Sequence, residues 1–291
     1  MVKREKIEKK ETLDKETLAE FVNLALASSK IKEIKIKEEA GDYFLRPNIN
    51  IFIYGLIGSS KSTLLNQISN KTKSKAPYTE LSFPALIGSI DKMTRQLIIG
   101  ASWECRKSLL LLDEFDFGKR NKDDIRALLQ LIEGGKYNRK LASFSAPQEE
   151  KDEGLFFIFK DGEFNIKTRF SLILATMKYP YTSQNKELQA LISRSICLPF
   201  YPSKEVLKEI AHGYSIFNYQ DKKPKKNKII IEKDDYDYIM DYIDSKISEQ
   251  NFLRIIGDCV RIFAIEGKHR KDLYDIIIKF GNKKFQSKKP K

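Results

Sequence analysis

Residues 49–63 read INIFIYGLIGSSKST, and this stretch decides the fold. Its first part, residues 49–54, is apolar at almost every position, which predicts a strand covered on both faces, as in the parallel sheet of an α/β domain. The helical residues 64–69 (LLNQIS) follow the loop. A strand, a glycine-containing loop and a helix N-terminus together direct backbone N–H groups and the positive end of a helix dipole at a phosphate chain.

The loop of residues 55–63 resembles the Walker A motif of P-loop NTPases, with Ser60 where that motif has glycine. The resemblance implies that Lys61 reaches the β- and γ-phosphates and that the Ser62 hydroxyl ligates Mg²⁺. If the backbone at Ser60 needs a conformation that only glycine adopts, nucleotide binding is weakened. The alternative is a Gly/Ser turn with a solvated lysine. The predicted nucleotide-binding residues are Gly55, Gly58, Ser59, Ser60, Lys61, Ser62 and Thr63.

Two more buried strands are predicted at residues 109–112 (LLLL) and 170–175 (FSLILA). Helical stretches near residues 61–70 and 123–133 alternate with them, which predicts a doubly wound α/β domain. The LLLL run ends in Asp113-Glu114. If it lies beside the first strand, Asp113 sits near the Mg²⁺, and Glu114 orients or deprotonates the attacking water. On its own, an acidic pair is equally a solvated strand end.

Residues 109–117 (LLLLDEFDF) resemble the Walker B motif of AAA+ ATPases. The order of residues 84–91 (PALIGSID), Gly100-Ala101 and the acidic pair is similar to that in minichromosome-maintenance-type helicases and related groups with a pre-sensor hairpin. Magnesium-chelatase-type ATPases and bacterial enhancer-binding activators share it, and residues 128–139 resemble the helix and turn that follow. The resemblance, over about residues 47–266, implies a P-loop (AAA+) α/β domain with a small all-helical lid, ATP and Mg²⁺ as ligands, and a ring or spiral homo-oligomer.

The same resemblance implies roles for three downstream residues. Thr176 ends the third buried strand and matches sensor 1; otherwise it is a strand-capping threonine. Arg194, in residues 190–195 (ALISRS), matches the arginine finger that reaches a neighbour's γ-phosphate; otherwise it is a surface arginine in an ion pair. Arg254 matches sensor 2, which touches the γ-phosphate from the lid, with Arg261 as the alternative. With Lys61 and Glu114, these residues form the predicted catalytic set.

The chain is expected to divide into four segments. An N-terminal helix and arm, residues 1–46, includes a helix at about 13–29 with a capping box at Thr17 and Glu20, and a short strand at 31–36. The later segments are the nucleotide-binding domain, 47–200, the helical lid, 201–282, and a basic flexible tail, 283–291. The lid helices are predicted at residues 203–212, 234–248, 251–265 and 270–280.

Composition narrows the class of partner. The chain has 291 residues, and its 53 lysines and arginines exceed its 40 acidic residues, for a net charge of +13, which favours an anionic partner. The three cysteines are widely spaced, which disfavours a zinc site or a disulfide framework, and His212 and His269 are given no chemistry. No apolar run is long enough to cross a bilayer, so we expect a cytoplasmic protein without membrane contact.

Two segments are candidates for contact with DNA. Residues 156–166 (FFIFKDGEFNI) predict a hairpin turning at Asp161-Gly162, with Lys160 at its tip and Lys167 and Arg169 nearby. An ordinary surface hairpin is the equal alternative. The loop at residues 89–95 offers Lys92, Met93 and Arg95.

Three functions follow from these features. The first is an AAA+ ATPase that acts on DNA as a helicase, replication-initiation factor or mobile-element ATPase. The second is a remodeller of protein complexes, although the activator loop GAFTGA is absent. The third is a nucleotide-dependent scaffold with little turnover.

Overall fold

The computed structural model describes most of the chain. The described residues are 13–56, 58–79, 81–91, 93–94, 96–114, 122–140, 147–176, 186–215, 217, 219–220, 224, 226–247 and 252–282. Its helices are α1 (Lys15–Lys30), α2 (Lys61–Thr72), α3 (Phe83–Ile87), α4 (Ala101–Glu104), α5 (Lys122–Gly134), α6 (Lys186–Ser193), α7 (Lys204–Ala211), α8 (Lys233–Asp244), α9 (Phe252–Glu266) and α10 (Lys271–Asn282). Its strands are β1 (Glu33–Ile36), β2 (Tyr43–Leu45), β3 (Ile51–Tyr54), β4 (Gly88–Ile90), β5 (Leu97–Ile99), β6 (Leu109–Leu112), β7 (Lys136–Lys140), β8 (Gln148–Asp152), β9 (Leu155–Lys160), β10 (Glu163–Lys167), β11 (Ser171–Thr176), β12 (Ile196–Pro199) and β13 (Lys228–Ile231).

A four-stranded parallel sheet in the order β12-β3-β11-β6 forms the centre of the fold. The three buried strands predicted from the sequence are all present, and β12 is an addition. The sequence suggested that β6 lies directly beside β3. This is wrong, because β11 lies between them. An apolar run shows that a strand is buried but does not reveal its partner. Beyond β6, Tyr78 makes a parallel bridge to Leu112 at the sheet's edge.

The alternation of side chains along the strands builds two cores. Ile51 and Ile53 face α1, α2 and the C-terminal helices, whereas Phe52 and Tyr54 face α5 and an antiparallel sheet. Both sets are buried, which explains why β3 is apolar throughout. The structure and the strand order therefore agree with the predicted α/β class, with helices on both faces of a parallel sheet.

The N-terminal helix packs into this core. Phe21 and Val22 on α1 are fully buried against the sheet, and the Ser28 hydroxyl is within 2.9 Å of the Ser171 hydroxyl. The capping box predicted at Thr17 is wrong. Asp14 is the N-cap, and its carboxylate accepts hydrogen bonds from the backbone N–H and the hydroxyl of Thr17. An aspartate satisfies the free N–H groups of the first turn as well as a threonine does.

The C-terminal part is mainly helical but not entirely so. Strand β13 pairs in parallel with β1, which also pairs with β2, so the N-terminal segment and the C-terminal part share a three-stranded sheet. The prediction of an all-helical lid missed β13 because its residues, KIII, begin at the end of a lysine-rich stretch, residues 222–228 (KKPKKNK), and carry only a short apolar run. The predicted basic tail, residues 283–291, lies outside the described residues.

The predicted hairpin is present within a larger antiparallel sheet in the order β7-β10-β9-β8. Asp161 and Gly162 both have positive φ, 53° and 76°, as expected for a two-residue hairpin turn. Strands β4 and β5 form a second, separate hairpin. No helix in the described residues is long and apolar enough to cross a membrane. Cys105, Cys197 and Cys259 are buried free thiols.

Candidate nucleotide site

The phosphate loop begins where β3 ends, at the carboxyl edge of the parallel sheet. The Gly55 N–H is 3.4 Å from the backbone oxygen of Thr176 on the neighbouring strand. A Cβ at Gly55 would lie 2.2 Å from the backbone oxygen of Phe200, so a larger residue does not fit at this position. The close packing of β3 against β11 and the chain after β12 therefore fixes the start of the loop.

Ser60 has a left-handed backbone conformation, which favours glycine but is not restricted to it. Its φ and ψ are 61° and 29°, in the left-handed region, and its side chain makes no capping hydrogen bond to α2. This region is open to ordinary residues at a cost of about 1–2 kcal/mol. The loop therefore forms with serine at this position, under a modest local strain.

We expect Ser60→Gly to raise the free energy of unfolding by about 0.5–1 kcal/mol. Removal of the left-handed strain, about 1–2 kcal/mol, is partly offset by the greater freedom of glycine in the unfolded chain, about 0.5–1 kcal/mol. Denaturant unfolding without nucleotide measures this gain. Lys73→Gly is the matched control, because Lys73 has the same left-handed conformation (φ 56°) at the other end of α2. A lower stability for Ser60→Gly would show that the serine side chain holds the loop.

Lys61 is buried inside the loop. Its Nζ donates hydrogen bonds to the backbone oxygens of Gly55 (3.0 Å) and Leu56 (2.8 Å) and to Oγ of Ser59 (3.1 Å). Burial lowers the pKa of Lys61, and the negative charges of Asp113 and Glu114 oppose this effect. The ammonium group therefore closes the loop on itself and lies within reach of the two carboxylates.

Asp113 and Glu114 follow β6 at the same edge of the sheet. The Asp113 N–H donates to the backbone oxygen of Tyr78 (2.9 Å), and its buried carboxylate accepts the N–H of Glu114 (3.0 Å). Glu114 has a positive φ of 46° and an exposed side chain. The sequence did not single out Tyr78, which fixes Asp113 from 35 residues upstream, because nothing in the composition around it marks a supporting strand.

Thr176 lies between these two groups. It is the last residue of β11, is buried, and stands level with Tyr54 on β3. On the other side of β11, Leu174 is level with Leu112. The next residue after Leu112, Asp113, therefore lies opposite Ala175. The structure therefore places Lys61, Asp113, Glu114 and Thr176 at the same edge of the sheet. Thr176 occupies the central position because β11 is the middle strand.

The residues at this edge fit ATP and Mg²⁺. The loop and the N-terminus of α2 supply backbone N–H groups, and a hydroxyl at Ser62 and a carboxylate at Asp113 are oxygen ligands of the kind that Mg²⁺ takes beside phosphates and water. When bound, Mg²⁺ neutralises charge on the phosphate oxygens. Among the described residues, no group of three acidic, histidine or cysteine side chains forms a separate protein-only metal cage.

Arg194 lies at the opposite, amino edge of the sheet. It stands two residues before β12, whose Ile196 is level with Ile51, and its backbone oxygen accepts a hydrogen bond from Asn50 (3.2 Å). The length of β3, about 13 Å at 3.3 Å per residue, separates it from the phosphate loop of its own chain. Its guanidinium pairs with Glu133 and donates to the backbone oxygen of Ala190 (2.8 Å).

Arg254 is also at the amino edge, and not beside its own phosphate loop as the lid assignment implied. Its Nη2 donates to the backbone oxygens of Ile192 (3.1 Å) and Ser195 (2.5 Å). The alternative, Arg261, is bonded to the carboxylate of Asp258 and to the backbone oxygen of Arg46, each at 2.8 Å. Arg254 thus joins the start of α9 to the junction of α6 and β12.

The residues proposed to contact DNA differ in their exposure and in the charges around them. Lys160 is exposed at the hairpin tip, but Glu163 lies directly across from it and pairs with Lys140 (3.2 Å). Lys167 is at the far end of β10, and Arg169 is buried with its Nε bonded to the backbone oxygen of Ser29 (2.8 Å). The tip therefore carries mixed charge.

The second candidate loop joins β4 and β5. Met93 is 95% exposed there, and Asp91 caps the turn by accepting the N–H groups of Met93 (2.8 Å) and Thr94 (2.7 Å). Lys92 and Arg95 lie outside the described residues. Of the two histidines, His269 packs on Phe263 and Tyr238, while His212 lies near Tyr214.

Comparison with known proteins agrees with this geometry. The sequence model of the family described as "ATPase family associated with various cellular activities (AAA)" matches residues 51–195. The matched segment runs from the start of β3 to the residue before β12 and includes the phosphate loop, the acidic pair and Thr176. The match supports an ATPase of the AAA+ P-loop class. No curated protein matches the chain.

Proposed function

We propose that this AAA+ class ATPase hydrolyses ATP with Mg²⁺, assembles head to tail into a ring or spiral, and uses hydrolysis to remodel DNA or to move along it. The observation that supports the catalytic part is the meeting of four side chains at one edge of the sheet. In this proposal Lys61 binds the β- and γ-phosphates, and Ser62 and Asp113 hold the metal. Glu114 activates the attacking water, which Thr176 positions.

Assembly is proposed because the arginines lie on the wrong edge for their own nucleotide. Arg194 and Arg254 sit at the amino edge, about 13 Å along the sheet from the phosphate loop, so neither completes the site of its own chain. A second copy that presents its phosphate loop to this edge would place both arginines beside the transferred phosphate. Such a contact joins two different surfaces of the protein and generates rings or open spirals.

DNA is proposed as the substrate on the basis of charge. The net charge of +13 favours a polyanion, and Lys160 is exposed at the tip of the β9–β10 hairpin. Two observations favour the alternative, a remodeller of protein complexes: the hairpin tip has mixed charge, and Met93 exposes an apolar side chain on the β4–β5 loop. The left-handed Ser60 is the observation that favours a scaffold with little turnover.

Hydrolysis stimulated by DNA tests the DNA proposal. We expect single- or double-stranded DNA to raise ATP turnover and to bind with an affinity that falls steeply as salt rises. Lys160→Ala should weaken binding and reduce the salt slope by about 1, the expected loss for one phosphate contact. Lys151→Ala is the control, since Lys151 is an equally exposed lysine on β8 of the same sheet. If DNA neither binds at moderate salt nor changes turnover, the protein remodeller becomes the better assignment.

A further inference from the structure

Two adjoining clefts open at the amino edge of the parallel sheet. Their volumes are about 290 and 320 Å³, and both are lined by Leu45, Arg46, Asn48 and Glu133. The first also contains Arg194 and Arg254 from the proposed inter-subunit site. The residue common to both clefts that carries a positive charge is Arg46, which the sequence did not single out.

The first cleft holds more positive charge than its acids neutralise. Its arginines are Arg46, Arg194, Arg254 and Arg261, and its acids are Glu133 and Asp258. Arg194 pairs with Glu133, and Arg261 pairs with Asp258 at 2.8 Å. Within the described part of the chain, neither Arg46 nor Arg254 has a carboxylate partner. The cleft therefore contains two guanidinium groups whose charge no described carboxylate neutralises.

Arg46 makes fewer side-chain hydrogen bonds than Arg254. Its Nε donates to Oδ1 of Asn48 (3.1 Å), but its Nη1 is buried and has no hydrogen-bond partner among the described residues. Its Nη2 lies over Gly135, where an added Cβ would come within 3.0 Å. Burial, with the like charges of Arg261 and Arg169, lowers the pKa of Arg46 to about 9, so it remains charged at neutral pH.

Burying an unpaired cation destabilises a fold, and an anion that binds there removes the penalty. A planar guanidinium with free N–H groups matches phosphate oxygens in particular. We propose that Arg46 is a further phosphate-binding arginine of the inter-subunit site, which contacts, with Arg194 and Arg254, the triphosphate held by the phosphate loop of a second copy of this chain. This inference rests on the proposed head-to-tail assembly.

The surroundings of the clefts favour a second copy as the source of the phosphate. Leu253 (80% exposed) and Phe44 (62%) border the two clefts, which gives the face the combination of exposed apolar side chains and arginines typical of protein interfaces. The opposite edge exposes Leu56 (55%) beside Asp113 and Glu114. An arginine-rich face and a face with acidic and phosphate groups are complementary in charge.

Arg46→Met separates this role from a structural one. We expect ATP turnover to fall about 100-fold, the usual effect of losing one donor to a developing charge, while binding of a fluorescent ATP analogue persists. The melting temperature should stay the same or rise, because methionine removes the unpaired charge. Mixing Arg46→Met with Lys61→Ala should restore turnover at interfaces that join an intact phosphate loop to an intact Arg46. Arg46→Lys should retain part of the activity.

Arg106→Met is the matched control, since Arg106 is paired with Asp152 (3.0 Å) and lines neither cleft. It should lower the melting temperature and leave turnover unchanged. Unchanged turnover in Arg46→Met overturns the inference. It is also overturned if mixing with Lys61→Ala restores the turnover of Arg194→Ala but not that of Arg46→Met. Loss of DNA binding with normal turnover also overturns it and assigns the cleft to nucleic acid. If Arg194→Ala itself retains full turnover, the proposed inter-subunit site fails, and the role of Arg46 fails with it.

Discussion

Glu114→Gln is expected to lower ATP turnover by about 10²–10⁴-fold and to leave ATP bound, because the substitution removes a general base without removing a phosphate contact. Glu114 follows the buried Asp113 at the edge where Lys61 lies; its side chain is exposed, and its negative charge acts on Lys61. Glutamine has the same shape and hydrogen-bonds water, but it does not accept the proton that the water loses. The variant should therefore hold uncleaved ATP.

Single-turnover hydrolysis and nucleotide retention on a desalting column measure the two effects separately. Glu153→Gln is the matched control, because Glu153 is also an exposed glutamate with positive φ (48°), in the turn between β8 and β9. It should hydrolyse ATP at the normal rate. An unchanged rate in Glu114→Gln would remove Glu114 from the mechanism, whereas joint loss of binding and turnover would assign it to nucleotide binding.

The central sheet was predictable because its signals are local. Each of β3, β6 and β11 is a short apolar run that ends at a polar or glycine residue, and a strand buried on both faces leaves that pattern in any α/β protein. The phosphate loop adds a fixed spacing of glycine, lysine and serine. The convergence of Lys61, Asp113 and Thr176 then follows, since the carboxyl ends of parallel strands meet at one edge.

Pairing between distant segments was not predictable. The insertion of β11 between β3 and β6, and the pairing of β13 with β1, depend on contacts between residues far apart in the chain. The support of Asp113 by Tyr78 is of the same kind. Arg46 illustrates the limit for the site. Its neighbours in sequence, Leu45 and Pro47, give no sign of a cation buried beside Gly135 and Arg261.

The amino edge also changes how the predicted arginines are interpreted. Sequence likeness assigned Arg194 to a neighbour's γ-phosphate and Arg254 to a lid that touches the γ-phosphate. In the structure, both guanidinium groups contact the segment of residues 190–195. Burial lowers the pKa of Arg194, and the positive charge of the nearby Arg254 adds to this effect. A single phosphate group presented by a neighbour would relieve this repulsion. We therefore expect the two arginines to act on the same phosphate.

Arg194→Ala should lower ATP turnover by about 10³–10⁵-fold, the range for an arginine that stabilises charge in phosphoryl transfer. Its partner in the isolated chain, Glu133, is half-exposed, and an exposed ion pair contributes only about 0–1 kcal/mol, so a phosphate can take the arginine from it. The substitution should accordingly change stability little. ATP affinity, measured by calorimetry at a concentration where the wild-type protein is monomeric, should also be unchanged.

Mixing distinguishes a shared site from a self-contained one. Arg194→Ala keeps an intact phosphate loop and Lys61→Ala keeps an intact arginine edge, so a mixed assembly contains interfaces at which both are present, and turnover should reappear in proportion to them. Arg126→Ala is the control, because Arg126 also links α5 to α6, through Glu187 (3.4 Å). The Arg126→Ala protein should hydrolyse ATP normally. Normal turnover by Arg194→Ala alone would show that Arg194 is a surface arginine in an ion pair. If mixing fails to restore turnover, Arg194 acts within its own subunit. An arginine that acts on a neighbour's nucleotide can be supplied by the Lys61→Ala subunit, which still has Arg194.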